Sequence, residues 1–382
     1  MSISESLKQK IPESLKPPLR ILLKRLQPLK RNPIKEFKIK QIQEKLLKEN
    51  YSPNTNKLIV FLTPGYDIVN GGILSISSIY IESVKLKPIH GAQVVLCTVP
   101  NDPPLLKYTK FKNQNYIYRF SQILSYFQNL EYLMIHIPEY AVNRFLKNIS
   151  PLEYTKFKKM KNIHFNIMLQ NIKLLSSVED IEKLKKFGKV TCTTAHEQYS
   201  SLETRKRLGV PLHKLSTYVS PEFYDRKSYT EKKDLMIVSP DAHPRKKEIL
   251  NLIRKQLPGI DIKVIKNLTY EEYKTILSRA KWALTFGEGL DGYFVETIFS
   301  GGISFAVYNP EFFTEDFKHL LTVYNDFGTL IKNICSDIEN LDNPKKYTTY
   351  QSEQYNICRK YYNYKKYIKN LELFYRGEYT YG

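Results

Sequence analysis

The chain has 382 residues, 42% of them hydrophobic and 25% charged, which is the make-up of an ordinary globular protein. Its 15 Gly and 20 Pro follow no repeating period, so collagen-like and low-complexity classes are excluded, and no run of about 18 apolar residues is present to span a membrane as a helix. Fifty-nine Lys and Arg against 38 Asp and Glu leave a net charge of +21, a field that draws polyanions: nucleic acid, anionic lipid or phosphorylated small molecules.

At about 150 residues per domain the length predicts two or three domains. Residues 1–49 form a first, basic amphipathic segment, with 13 Lys and Arg against 5 Asp and Glu. Pro12, Pro17, Pro18, Pro28 and Pro33 divide it. Leu19, Ile21, Leu22, Leu23, Leu26 and Leu29 interleave there with Arg20, Lys24, Arg25, Lys30 and Arg31, a pattern suited to lying on an anionic membrane surface or packing as a solvated arm. Met1–Glu5 lacks the apolar core of a secretory leader, so none is expected.

From residue 57 the pattern becomes that of buried parallel strands. The runs 57–62, 92–99, 132–137, 163–169 and 190–194 read as strands, with helical spacing over 73–87 and 178–187 between them. Asn70-Gly71-Gly72 follows the first strand as a glycine-rich turn. The pattern restarts at 234–239 and continues with a helix over 246–256 and a strand over 260–265. A helix over 269–280 follows, with Thr269 and Glu272 spaced as a capping box. Next come a strand over 281–286, a short helix over 294–300 and a strand over 303–307. Alternating strands and helices predict doubly wound α/β domains. The expected division is 50–215, 216–344 and a Tyr/Lys-rich helical segment, 345–382. Ten tyrosines lie in that last segment. Their expected arrangement is a long helix with rings inward, although interleaved rings and lysines can also stack on single-stranded nucleic acid. Cys97, Cys192, Cys335 and Cys358 are scattered without a C-x-x-C, so reduced thiols are expected rather than disulfides or a zinc site.

The stretch that carries chemistry is Phe286-Gly287-Glu288-Gly289-Leu290-Asp291-Gly292-Tyr293-Phe294-Val295-Glu296. Glu288 stands in a glycine-rich turn after a strand, and Glu296 in the first turns of the next helix. A helix start offers unpaired N–H groups and partial positive charge to a phosphate, and glycines let a ligand approach the backbone. Two carboxylates accept hydrogen bonds from vicinal hydroxyls. A ligand with both phosphate and diols, a nucleotide sugar, satisfies all three. The alternative is a capped helix with a solvated loop carboxylate. Gly287, Gly289 and Gly292 also spell G-x-G-x-x-G, with Glu311 near the ribose position, but a dinucleotide fingerprint normally opens the first unit of its domain. Neither a P-loop nor a G-x-S-x-G elbow is present.

This stretch resembles the E-x7-E motif of the retaining, glycogen-synthase-like glycosyltransferases with the GT-B fold. Residues 268–284 resemble the helix and strand before that motif, 297–303 the segment after it, and Asn70-Gly71-Gly72 the family's N-terminal glycine loop. The resemblance spans 57 to about 340. It implies two Rossmann-like doubly wound domains facing each other across a cleft, an acceptor domain first and a donor domain second. It further implies that Glu288 contacts the donor sugar and Glu296 the ribose, with the backbone of Gly289 and Gly292, and Asp291 beside them, lining the sugar and phosphates. Cations on the diphosphate would come from Arg245, Lys246 and Lys247, within the run 241–247, and Gly71 and Gly72 would offer N–H groups from the other side. His136 and His196 are candidates for a donor-side histidine, each with a structural role as the plainer alternative. The sequence departs from the family at Asp291, where glycine is usual, and at Tyr293, where proline is usual.

The implied activity is metal-independent transfer of a sugar, with retention, from a nucleotide-diphosphate donor to a glycan or lipid-linked glycan acceptor, in bacterial surface or exopolysaccharide assembly. No cofactor is expected. The expected setting is cytoplasmic, with peripheral attachment to the inner face of an anionic membrane through residues 1–49. Nucleic acid is not an expected partner. The alternatives are a nucleic-acid-binding protein, which the charge and the tyrosines would serve, and a non-catalytic partner subunit of GT-B type, which Asp291 and Tyr293 would explain.

Overall fold

The computed structural model describes residues 32–68, 70–110 and 115–382. Most of the basic segment, residues 1–31, therefore lies outside the described residues. A helix over Pro33–Asn50 precedes the first strand. Gln43 on it is fully buried, and its Nε2 donates to the carbonyls of Ile117 (2.7 Å) and Leu105 (3.2 Å).

Seven parallel strands form the first sheet: β1 (Lys57–Thr63), β2 (Gln93–Thr98), β3 (Ile117–Arg119), β4 (Tyr132–Pro138), β5 (Asn162–Leu169), β6 (Lys189–Thr194) and β7 (Leu212–Lys214). Their order is β3-β2-β1-β4-β5-β6-β7. In β1, Leu58, Val60 and Leu62 enter one core cluster while Ile59 and Phe61 enter another. Both faces are thus covered, which is why the strand reads as an unbroken apolar run rather than an alternating one. Each such side chain taken from water contributes about 1.5–3 kcal/mol.

The second sheet is also parallel: β8 (Lys233–Val238), β9 (Asp261–Val264), β10 (Ala280–Leu284), β11 (Ile303–Val307) and β12 (Val323–Tyr324), in the order β12-β11-β10-β8-β9. The capping box at Thr269 forms: Thr269 N donates to Glu272 Oε2 (2.7 Å), and Glu272 N to Thr269 Oγ1 (3.3 Å). In each sheet the strand order reverses once, between β1 and β4 and between β8 and β10. The carboxyl ends of the strands beside such a reversal open a crevice where α/β proteins hold ligands.

The chain passes between the sheets twice. Residues 215–232 carry it from β7 to β8. The Tyr/Lys-rich end carries it back, as two helices rather than the single long one expected. Pro344–Tyr361 covers the second sheet, with Tyr347 OH donating to the carbonyls of Lys281 and Gly301, each at 3.0 Å. The chain breaks at Tyr362–Asn363, where the Asn363 side chain accepts from Lys366 N (2.9 Å) and caps Tyr364–Arg376. That last helix lays Tyr367, Leu371 and Phe374 on the first sheet. The rings of Tyr347, Tyr350, Tyr362 and Tyr367 face the core. All four cysteines are buried free thiols.

Candidate functional site

The glycine-rich turn leaves the carboxyl end of β10, beside the strand-order reversal. It is tied down at two points. Phe286 N donates to Ser239 Oγ at the end of β8 (3.0 Å), and Thr285 Oγ1 donates to Gly289 O (3.0 Å). Gly289 has φ +82°, and a Cβ there would lie 2.5 Å from Phe313 Cε2 and 2.9 Å from the Val307 carbonyl oxygen. Only glycine accepts that conformation in that space. Asp291 then starts the helix Gly292–Phe299: its Oδ1 accepts from Phe294 N (3.0 Å). Asp291, where the resembled motif usually has glycine, thus supplies a side chain that satisfies one of the helix's free N–H groups.

Glu296 points back along its own helix. A Cβ on Gly292 would sit 3.0 Å from Glu296 Oε1, so the missing side chain at Gly292 makes room for the carboxylate at the helix start. Glu296 is 5% exposed and ringed by hydroxyls: Tyr270 OH donates to Glu296 Oε2 (3.4 Å), and the Tyr224 and Tyr270 hydroxyls are 3.1 Å apart. Burial pushes its carboxyl up to about 8. Glu288, half-buried in the turn, is pushed up to about 7, first by burial and then by the charge of Asp241, while Lys173 acts in the opposite sense. Burial also raises Asp291 well above the usual carboxylate range, against the pull of its bonded N–H. Asp241 presses on the turn, its carboxylate carbon 2.8 Å from where a Gly287 Cβ would stand. Glu288, Asp291 and Glu296 are all raised by burial, so near neutral pH a protonated carboxyl among them can donate to a hydroxyl-rich ligand as well as accept from it.

The cations of the run 241–247 are placed differently from one another. Lys246 opens the helix Lys246–Gln256, donates to the carbonyls of Ser239 and Asp241 (2.9 Å to the latter), and lies 5.2 Å above the Phe286 ring. It therefore faces the turn. Arg245 instead makes a two-pronged ion pair with Glu248, 3.0 Å on each arm. Lys247 is exposed. His243 stacks on Phe327 at 3.7 Å between ring centres.

From the first sheet, Asn70 caps the helix Gly71–Lys85 by accepting from Ile73 N (2.8 Å). Gly71 is open to solvent, whereas the Gly72 carbonyl accepts from Gln170 Nε2 (3.1 Å). Gln170 begins the loop after β5, and that loop carries Lys173 to Glu311 beyond β11, with Nζ and Oε2 2.9 Å apart. After β6, Gln198 Nε2 donates to the Phe312 carbonyl (2.9 Å). Loops from the two sheets thus meet beside the turn. A small cavity of about 50 Å³ remains between Leu290, His196, Phe312 and Tyr362.

Not every residue singled out by the sequence reaches this place. His136 is in the middle of β4, 1% exposed, stacked on Phe61 (4.0 Å between ring centres) and bonded to Asn166 Nδ2 (2.9 Å). The last helix covers it through Phe374 and Tyr375. It is a core histidine, held neutral by burial. His196 borders the cavity, with burial lowering it to about 4. Conversely, the structure adds Lys173, Asp241, Tyr270 and Glu139 to the surroundings. Glu139 directly follows β4, is 3% exposed and pushed up to about 7 by burial, and its Oε1 accepts from Asn171 N (3.1 Å). Lys173 and Glu139 lie just past the ends of strands that are evident in the sequence, and that position is the only signal they give.

No protein-family model matches the chain, and no curated protein matches its sequence. Solved structures do match it. A sucrose-phosphate synthase from Thermosynechococcus elongatus superposes with a TM-score of 0.51 at 10% identity, over 84% of this chain and 99% of that one. A trehalose-6-phosphate protein from E. coli, bound with UDP-2-fluoro glucose, gives 0.51 at 10% identity, over 83% and 99%. At such identity the likeness is one of fold. The chain has the GT-B architecture: two Rossmann-like halves with their strand ends turned toward a shared cleft.

Proposed function

We propose that the chain is a glycosyltransferase that moves a sugar from a nucleotide-diphosphate donor to a glycan acceptor. The observation that supports this most is where the Gly287–Gly292 turn sits. It leaves β10 at the strand-order reversal, with Glu288 before a helix start and Glu296 folded back onto it. In this reading Glu288 holds the donor sugar's hydroxyls and Glu296 the ribose diol. The backbone of Gly289 and Gly292 approaches the phosphates, and Asp291 fixes the helix start between them. Lys246 is the nearest cation of its run. Arg245 and Lys247 serve at the rim, where Arg245 must exchange Glu248 for phosphate. Gly71 and Gly72 approach from the opposite half, and Lys173 bridges the mouth. Stabilising the charge on the departing diphosphate is the main catalytic task, and fixed dipoles and cations perform it without a divalent ion. Closure of the halves excludes water.

Retention of configuration belongs to the proposal through the E-x7-E resemblance, and so does a place in bacterial surface or exopolysaccharide assembly. The basic segment would hold the protein at the inner face of an anionic membrane. Roughly 1 kcal/mol per basic residue is available there. Removing residues 1–49 is expected to weaken co-sedimentation with phosphatidylserine vesicles, and undiminished binding would remove the anchoring role.

The test of the main reading is a thermal-shift screen with UDP-, ADP-, GDP- and CMP-sugars. At a hundred-fold excess over Kd, one donor class is expected to raise the midpoint by roughly 3–5 °C. Glu296→Ala should abolish that shift. If no nucleotide sugar stabilises the protein, the donor-site assignment falls. A second reading, a non-catalytic partner subunit, is favoured by the pairing of Arg245 with Glu248. It predicts donor binding without turnover, or no donor binding.

A further inference from the structure

A second cavity, of about 360 Å³, lies apart from the glycine-rich turn. Its walls come from the two places where the chain passes between the sheets. Ser220, Pro221 and Glu222 belong to the first passage, Tyr362 and Asn363 to the second. The back wall is Phe299, the last residue of the helix that carries Glu296.

The chemistry of the lining is specific. The Arg226 guanidinium carbon lies over the Tyr355 ring, 4.1 Å from its centre, and one arm donates to Gln351 Oε1 (2.7 Å). Ring and amide together fix the plane of the guanidinium while leaving other N–H groups to bind. Arg359, one helical turn beyond Tyr355, brings a second guanidinium, which has no ion pair among the described residues. The one acidic residue of the lining, Glu222, already accepts from the Ser220 hydroxyl. Phe299, fully buried, meets Tyr355 edge to face at 5.7 Å and backs the cavity. Two planar forks match a phosphate's oxygens, and the part of the Tyr355 ring left uncovered offers an apolar contact to the C–H groups of a sugar. The volume lies near the lower end of the ~300–1,000 Å³ range of small-molecule sites. That suits a phosphorylated monosaccharide and is small for a nucleotide sugar.

We propose that this cavity is a second ligand site, for a monosaccharide phosphate, and that its occupancy sets how the two halves close. A ligand there touches both passages of the chain at once and lies against Tyr355, which packs on Phe299 at the end of the donor-site helix. It braces the joint on which closure turns. Tyr362 extends the connection, since it lines both this cavity and the smaller one that Leu290 of the glycine-rich turn borders. The effect on donor binding rests on the transferase reading above, whereas binding in the cavity does not.

Calorimetric titration of the full chain with ribose 5-phosphate, glucose 1-phosphate, inorganic phosphate and glucose tests this. One of the two sugar phosphates is expected to bind at one site per chain, and at least ten-fold more tightly than either inorganic phosphate or glucose. Arg226→Ala and Arg359→Ala should each weaken it at least ten-fold, whereas Glu296→Ala should leave it unchanged. Arg359 is exposed, so that variant should keep the wild-type melting temperature. Glucose binding as well as its phosphate, neither sugar phosphate binding, or unchanged affinity in both arginine variants would overturn the site. Saturation with the sugar phosphate should then change nucleotide-sugar affinity at least three-fold in wild type and not in Arg359→Ala, as linkage requires. An unchanged affinity in wild type would overturn the closure role. If no nucleotide sugar binds while the arginine variants still lose the sugar phosphate, the donor reading fails and the second site stands.

Discussion

Glu288→Ala is expected to lower turnover of the donor by about 10²–10³-fold, the range seen when one fixed partner of a charge-developing transition state is removed. In the proposed reading Glu288 is the side chain of the turn that meets the sugar; Phe286 N anchors the turn to Ser239 before it, and the bond from Thr285 Oγ1 to the Gly289 carbonyl spans it. The direction of its pH dependence follows from its surroundings. Burial and Asp241 place its ionisation at about 7, above the usual carboxylate range. The carboxylate that accepts from sugar hydroxyls therefore forms as pH rises through 7. Turnover should climb between about pH 6 and 8 and level off above. Glu288→Gln keeps the shape but cannot ionise, so its profile should be low and should lose the rise near pH 7, keeping only what Glu296 contributes near 8. An unchanged inflection in the glutamine variant would assign the titration to another group, and full turnover in Glu288→Ala would end its catalytic role.

Gly289→Ala should cost about 2–5 kcal/mol of stability. Roughly 1–2 comes from holding an L-residue in the left-handed region. A further ~1–3 comes from forcing a methyl group against the Phe313 ring and the Val307 carbonyl. The carbonyl belongs to β11 and cannot swing away, so the turn must move. Gly292→Ala, three residues on, is the informative contrast. Its added carbon meets only Glu296 Oε1, a flexible carboxylate, at 3.0 Å. That variant should fold almost as well as wild type and lose donor affinity, because Glu296 is pushed from the helix start. Urea unfolding of both, beside donor titration, separates the two effects. Equal stability of Gly289→Ala and wild type would mean that the turn is not locked as described.

The strands that the sequence announces are those sealed on both faces. β1 reads as an apolar run because its alternate residues enter two different clusters. β3, β7 and β12 gave no such signal. They have three, three and two residues, too few to hold a period, and they stand at sheet edges. The candidate site was legible where backbone chemistry dictates residue type: glycines in the turn and the cap before the helix. It was not legible where side chains choose partners through space. Arg245 and Lys246 are neighbours in sequence, yet one turns to Glu248 and the other to the end of β8. His136 looks the same on paper whether it lines a cleft or sits on Phe61 inside a sheet. Lys173 gains its place only because the loop after β5 meets the loop after β11.

The return of the chain's end to the first sheet has a consequence for dissection. Tyr367, Leu371 and Phe374 roof apolar residues of strands made some three hundred positions earlier, and Tyr381 pairs with Leu212. A fragment cut after β7 would leave that roof behind and present a bare greasy surface to solvent. Biosynthesis meets the same problem: the opening half must wait, uncovered, until the ribosome has delivered the helix Tyr364–Arg376.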